Sequence, residues 1–269
     1  MAADIKEKLL KDIKKTGYPF ELTLHNKLIK NDWKVIANAY YIDKDEKKGR
    51  EIDFIASNHI SEYINGELLE IAFYLIIEVK KATDKPWVIF TVKNRDRFSK
   101  LLPLKLNYTE TVFEIQGQGI YSAFHKNGTK VHDSWGKSFY EGFSGNGGRD
   151  DIYKALSGSV KALIHFKETN SYSDFFTERL ISYYEPIVVI EGQLFESWLD
   201  NNEEIQIKES NYIQTSFNYI SPNYYEKESI NDHIVHIVRA NYLEEFLKQK
   251  EKSLKNVFHW ISKKEFSEK

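Results

Sequence analysis

The sequence predicts an α/β fold: a single domain, residues 1–269, whose mixed β-sheet is flanked by helices and carries an inserted middle segment at about 94–150. Three observations lead there. Apolar residues recur at helical spacing near the N-terminus, over 151–166 and near the C-terminus. Two runs, 68–81 and 187–190, are crowded with β-branched and aromatic residues, as in strands buried on both faces. Before the first of them stands Asn65-Gly66, the dipeptide of two-residue hairpin turns, because both residues tolerate positive φ.

In chain order, Ile5, Leu9, Leu10 and Ile13 predict a first helix over 3–15, which Gly17, Tyr18 and Pro19 break. Pro19 suits the first turn of a second helix, and Phe20, Leu24, Leu28 and Ile29 keep its period to about Asn31. Strands follow at 33–41 and 50–57, then the long apolar strand 68–81 and a short one at 87–92. Residues 94–150 are less regular and end in the glycine-rich stretch GFSGNGGRD. Residues 151–166 read as a buried helix weakened by Gly158. After Pro186 come the buried strand 187–190, strands at about 204–208, 211–217 and 233–239, and a final helix at about 241–262.

Composition narrows the chemistry. A chain of 269 residues is long enough for a sizeable core, and the absence of cysteine excludes disulfides, thiolate metal sites and cysteine nucleophiles. A metal would be held by oxygen or imidazole, which favours a hard cation. The histidines show no ligand spacing: His233 and His236 are three apart in a strand candidate and point to opposite faces. No run reaches roughly 18 apolar residues, and the N-terminal stretch lacks the apolar centre of a signal peptide. No membrane association is expected, and the cytoplasm is the expected location. The net charge of −2 conceals an uneven distribution. Residues 1–50 carry twelve basic and eight acidic groups, and 78–105 carry eight and three. Residues 181–232 carry two and ten. The front half is compatible with a polyanion partner or, equally on charge alone, with ordinary variation of surface charge, and the acidic 181–232 region suits a protein partner or self-association.

The long strand closes on Glu78, Val79 and Lys80. Side chains two apart share a face, so Glu78 and Lys80 point one way, and Ile77 and Val79 the other. If Asn65-Gly66 form a two-residue turn, paired residues satisfy i + j = 131, so Ile64 opposes Glu67 and Asp53 opposes Glu78. Directly opposed side chains have Cβ atoms about 4.5–5.5 Å apart. Two carboxylates that close repel unless a proton or a divalent cation lies between them.

Asp53 followed by Glu78-Val79-Lys80 at the end of an apolar strand resembles the PD-(D/E)XK nuclease superfamily, with its restriction-endonuclease-like core. Glu21, on the second helix, resembles the first-helix acid of the Holliday-junction-resolvase-like or Mrr-like branch. The resemblance covers residues 18–92, and 151–190 would supply the later helix and strand of that core. Ile52 stands where the superfamily often has a proline, and 151–166 holds no Gln-x-x-x-Tyr, which speaks against the RecB-like branch. The resemblance implies a metal-dependent nuclease, with a DNA endonuclease as the first expectation. Glu21, Asp53, Glu78 and Lys80 would be catalytic. Asp53, Glu78, the Val79 carbonyl and Glu21 would hold Mg²⁺ or Mn²⁺. A role in DNA processing, restriction or anti-phage defence would follow by analogy, as would a homodimer. A non-catalytic nucleic-acid-binding or assembly module with the same fold, and an RNase using the same site, are the alternatives.

Lys81, Lys85, Lys93, Arg95, Arg97 and Lys100 follow the motif strand and are candidates to track a nucleic-acid backbone. Arg149, in the glycine-rich stretch, is a candidate phosphate contact, although such loops are more often only connectors. Trp87 reads as a core residue rather than a base-stacking one, and Lys161 as either site-facing or solvated.

Overall fold

A computed structural model describes residues 2–93, 109–111, 134–145, 150–169, 179–224 and 232–266. Helices α1 (Ala2–Ile13) and α2 (Tyr18–Lys30) lead into strands β1 (Lys34–Asp43), β2 (Lys48–Ile64) and β3 (Glu67–Lys93). Strands β4 (Thr109–Thr111) and β5 (Ser134–Glu141), helix α3 (Asp150–Thr169) and strand β6 (Arg179–Leu199) follow. The chain continues with β7 (Ile205–Glu209), β8 (Tyr212–Asn218), β9 (Asp232–Arg239) and helix α4 (Leu243–Phe266). All nine of the described strands belong to one mixed sheet. None of the described helices is long and apolar enough to cross a membrane.

Strands β1, β2 and β3 form an antiparallel meander, and β6 returns parallel to β3 after α3. Adjacent side chains of β3 serve opposite cores, as a pleated strand requires. Leu75 and Ile77 join Phe20, Leu24 and Leu28 of α2 and Phe246 and Leu247 of α4 in one cluster. Ile76 faces the other way, against Ala162 and Leu163 of α3. Burial on both faces explains why the sequence of β3 and β6 reads as continuous apolar runs without alternation.

The stretches expected as separate strands at 68–81 and 87–92 are one strand, whose pairing with β6 shifts register between Ala82 and Trp87. Trp87 is buried in the core beneath α3. Beyond that shift β3 also takes β5 as an antiparallel neighbour. From β5 the pairings run through β8, β9 and β6 back to β3, closing a ring. The closure rests on one pair, Gly136 with Thr215. Only glycine allows that approach, since a Cβ at 136 would lie 2.4 Å from Cγ2 of Ile89 and 2.7 Å from Oγ1 of Thr215.

Candidate functional site

The site is set up by the turn at Asn65-Gly66. Their φ angles of 52° and 88° are both positive, as a type I′ hairpin turn requires. The β2–β3 ladder starts at Ile64–Glu67 and runs to Phe54–Ile77, every pair summing to 131. The next step along is Asp53 with Glu78. There the strands stop exchanging ladder pairs, and the Asp53 carboxylate instead accepts a hydrogen bond from the main-chain N–H of Val79, Oδ2 to N 2.6 Å.

Strand β1 deforms at the same level. Its ladder with β2 pairs Ala37 with Phe54 and Ala39 with Ile52, and skips Asn38 opposite Asp53. Asn38 has a left-handed φ of 53°, which asparagine tolerates better than other side chains. Both strands change faces there. Phe54 packs on the α2 side, whereas Ile52, two residues away, packs on the α3 side. An interruption of this kind re-aims a side chain out of the regular pleat, and here the side chain is Asp53.

Glu78 and Lys80 share the α3 side of β3, and Val79 packs into the α2 side, as the period of two dictates. Lys80 Nζ lies 2.6 Å from Oε1 of Glu78. Gly158 of α3 faces Glu78 directly: a Cβ there would be 3.5 Å from Oε2 of Glu78, an ordinary contact. Burial pushes the Glu78 carboxyl up to about 7; Lys80 opposes the rise and Asp53 adds to it. Asp53 is also raised, first by burial, while the Val79 N–H and Lys80 hold it back. Glu21, in the first turn of α2 beside the anchoring Phe20, is raised by burial and then by Asp53, and lowered by Lys80. Burial would lower Lys80, but Glu78 and Asp53 outweigh it and keep the ammonium charged. The four residues expected to be catalytic are thus brought into one electrostatic neighbourhood, from α2, β2 and β3.

A hard cation suits this donor set. Burial raises all three carboxylates, the Asp53 charge further raises Glu78 and Glu21, and Lys80 lowers all three, so a divalent ion beside Asp53 would relieve the excess of negative charge. Among the described residues no three His, Asp or Glu side chains form a ready cage. Mg²⁺ does not need one, because it is commonly held by one or two carboxylates together with substrate phosphates.

Glu78 and Lys80 open into a cleft of about 620 Å³. Its α3 wall carries Tyr153, Lys154, Ser157, Gly158 and Lys161, and the rim is completed by Glu46 of the turn between β1 and β2 and by Lys48 and Gly49 at the start of β2. Tyr41, Asp43 and Arg50 also line it. Lys161 Nζ lies 2.9 Å from Asp43 and 3.2 Å from Asp45, so it ties α3 to the turn and is neither solvated nor aimed at Glu78. Although burial would raise Asp45, hydrogen bonds from Ser221, Tyr219, Asn223 and Lys161 hold its carboxyl well below the usual range. Sequence reasoning missed Tyr41, Asp43, Arg50 and Tyr153. The only local signal was the density of charge in 43–50, which looks like an ordinary solvated turn.

Of the expected nucleic-acid contacts, Lys81, Lys85 and Lys93 are exposed along β3 and are not among the residues lining the cleft. Lys85 lies 3.7 Å from Glu141. Arg95, Arg97, Lys100 and Arg149 lie outside the described residues. Comparison with family models, with curated proteins and with solved structures finds no match to this chain.

Proposed function

We propose that this chain is a metal-dependent phosphodiesterase acting on nucleic acid, with a DNA endonuclease as the favoured form. One observation carries the reading. The 131 register runs to Phe54–Ile77, and just past its end lie Asp53, bonded to the Val79 N–H, and the Glu78–Lys80 ion pair, with Glu21 in electrostatic reach of Asp53 and Lys80. The order α2, β1, β2, β3, α3, β6, with β6 parallel to β3, supports a restriction-endonuclease-like core.

Asp53 and Glu78, with the Val79 carbonyl, would hold Mg²⁺ or Mn²⁺, and Glu21 would stand behind them. The ion would supply Lewis-acid polarisation of the phosphate and a more acidic bound water. Lys80, held charged by Glu78, would orient the attacking water and stabilise charge on the phosphoryl oxygens. Asp53, fixed by the Val79 N–H, keeps one carboxylate oxygen at a set position.

The test is incubation of the purified protein with plasmid, linear, branched and single-stranded DNA and with RNA, in Mg²⁺ or Mn²⁺. Asp53→Ala and Lys80→Ala variants run alongside. Metal-dependent cleavage that both substitutions abolish is expected; equal cleavage by all three proteins, or activity indifferent to EDTA, would remove the assignment. The Glu78–Lys80 ion pair, which engages a proposed metal ligand, favours a second reading as a non-catalytic nucleic-acid-binding module. Binding without cleavage in the same assay would select it.

A further inference from the structure

The geometry points to an unpaired strand as the substrate: the cleft beside Glu78 and Lys80 seats a single-stranded stretch of nucleic acid, its bases stacking on Tyr153. This rests on the nuclease reading and specifies what that site takes. A volume of about 620 Å³ falls in the range that encloses a ligand of one or two nucleotides, not a duplex.

The walls are fixed, so the cleft does not widen by a simple hinge. Lys161 joins α3 to Asp43 and Asp45, and Lys44 Nζ reaches Glu168 of α3 at 2.6 Å. Asp45 is held from the other side by Ser221 at 2.6 Å and Asn223 at 3.0 Å. The turn between β1 and β2 is therefore bolted both to α3 and to the segment after β8.

The lining is not that of a groove made for a duplex backbone. Five cations face four carboxylates, Asp43, Glu46, Glu51 and Glu78, so charge alone gives only a weak hold on phosphates. Aromatic faces can supply the rest. Tyr153 is 48% exposed and is braced edge-on by Phe217 at 5.6 Å, which fixes the ring while leaving a face open. Tyr40, 68% exposed, lies at the rim. Exposed tyrosines with interspersed lysines are the means by which proteins grip unpaired strands.

The experiment is fluorescence anisotropy of the full chain with a short labelled single strand and with a blunt duplex of the same sequence, in EDTA, followed by cleavage of both in Mg²⁺ and Mn²⁺. The expected result is at least about tenfold preference for the single strand, with Tyr153→Ala weakening it roughly tenfold, within the range of one base–aromatic stack. Tyr153→Phe should bind as wild type. Lys154→Glu, at an exposed position, gives an independent weakening should Tyr153→Ala fold poorly. Equal or tighter binding of the blunt duplex, or cleavage of its interior as fast as of the single strand, overturns the inference and leaves the nuclease reading intact. Selective single-strand binding with no cleavage of any substrate supports the cleft and removes the nuclease reading instead.

Discussion

Asn38 and Asp53 stand opposite one another at the one step the β1–β2 ladder skips, and Asn38 holds a φ of 53° there. The consequence reaches the site directly. The skipped step frees Asp53 from the regular pleat, and its carboxylate turns to the N–H of Val79 on the neighbouring strand. A carboxylate held by a main-chain donor has a fixed position, which a metal or a water can use.

Asn38 is therefore a substitution with a distinctive signature. Asn38→Gly should keep both stability and activity, because glycine adopts positive φ without cost. Asn38→Val should cost about 1–2 kcal/mol, since a β-branched residue resists that conformation, and restoring a regular pleat would re-aim Asp53. Thermal melts and cleavage assays on the pair check this. Equal behaviour of the glycine and valine variants would show that the left-handed step is incidental.

This contrast also marks where the sequence was legible. The hairpin register was readable because it depends on two adjacent residues, Asn65 and Gly66, and on counting outward from them. The face change at Asn38 and Asp53 was not, because asparagine and aspartate in a strand carry no local mark of a skipped step. The pairing of Glu78 with Lys80 followed from the period of two. The cleft did not, because it depends on Lys161 meeting Asp43 and Asp45, 118 and 116 positions away in the chain. Strand β6 was read as four residues, 187–190, because Pro186 ordinarily ends a strand. In the fold Pro186 sits within β6, one residue before its pairing with β9 begins at Ile187.

The Glu78 carboxyl gives stability a pH dependence of defined sign. Its ordinary value of 4.5 rises to about 7 in the fold. Between those values the native state keeps a proton that the unfolded chain has released, so stability falls as pH rises from about 4.5 to 7. The loss is on the order of 3 kcal/mol at most. Asp53 and Glu21, also raised, add the same sign at the acidic end. Glu78→Gln should flatten the upper part of the profile. At pH 8, Mg²⁺ should raise the wild-type melting temperature more than that of Glu78→Gln. Melting curves at several pH values, with and without Mg²⁺, measure both effects; parallel profiles for the two proteins would refute the assignment.

Gly158 separates stability from function. It interrupts the propensity of α3, and a Cβ there would meet Oε2 of Glu78 at 3.5 Å and Cδ at 3.7 Å, an ordinary contact. Gly158→Ala should therefore stabilise the protein by roughly 0.5–1 kcal/mol through helix propensity. The added methyl would also exclude water from the Glu78 carboxylate, move its titration upward and slow cleavage at neutral pH. Gly158→Leu has no room without filling the cleft and should cost about 1–3 kcal/mol as well as activity. A rise in melting temperature with an upward-shifted pH–rate profile is the expected pattern for the alanine variant. An unchanged profile would mean that α3 does not press on the site.

Helix α4 packs on the face of the sheet away from the cleft. Lys250 of α4 and Glu185 of β6 form a fully buried ion pair, and His236 of β9 lies 3.5 Å from the same carboxylate. Tyr212 bonds the other ring nitrogen of His236 at 2.7 Å. Burial opposes ionisation of Glu185, but Lys250 and His236 outweigh it and hold the carboxyl well below its usual range. Burial is also the main influence on Lys250, and it pushes the ammonium down. Removing only the lysine leaves a charged carboxylate in the core, so Lys250→Met should cost about 3–5 kcal/mol. Converting both partners, Lys250→Met with Glu185→Leu, should recover most of that loss, because the desolvation of two charges is then avoided. Denaturant melts of the two singles and the double form a cycle that isolates the coupling. A double variant no more stable than Lys250→Met would show that the stranded Glu185 charge is not the source of the loss, and a Lys250→Met variant as stable as wild type would show that α4 is held by its apolar contacts, through Phe246, Leu247 and Leu254.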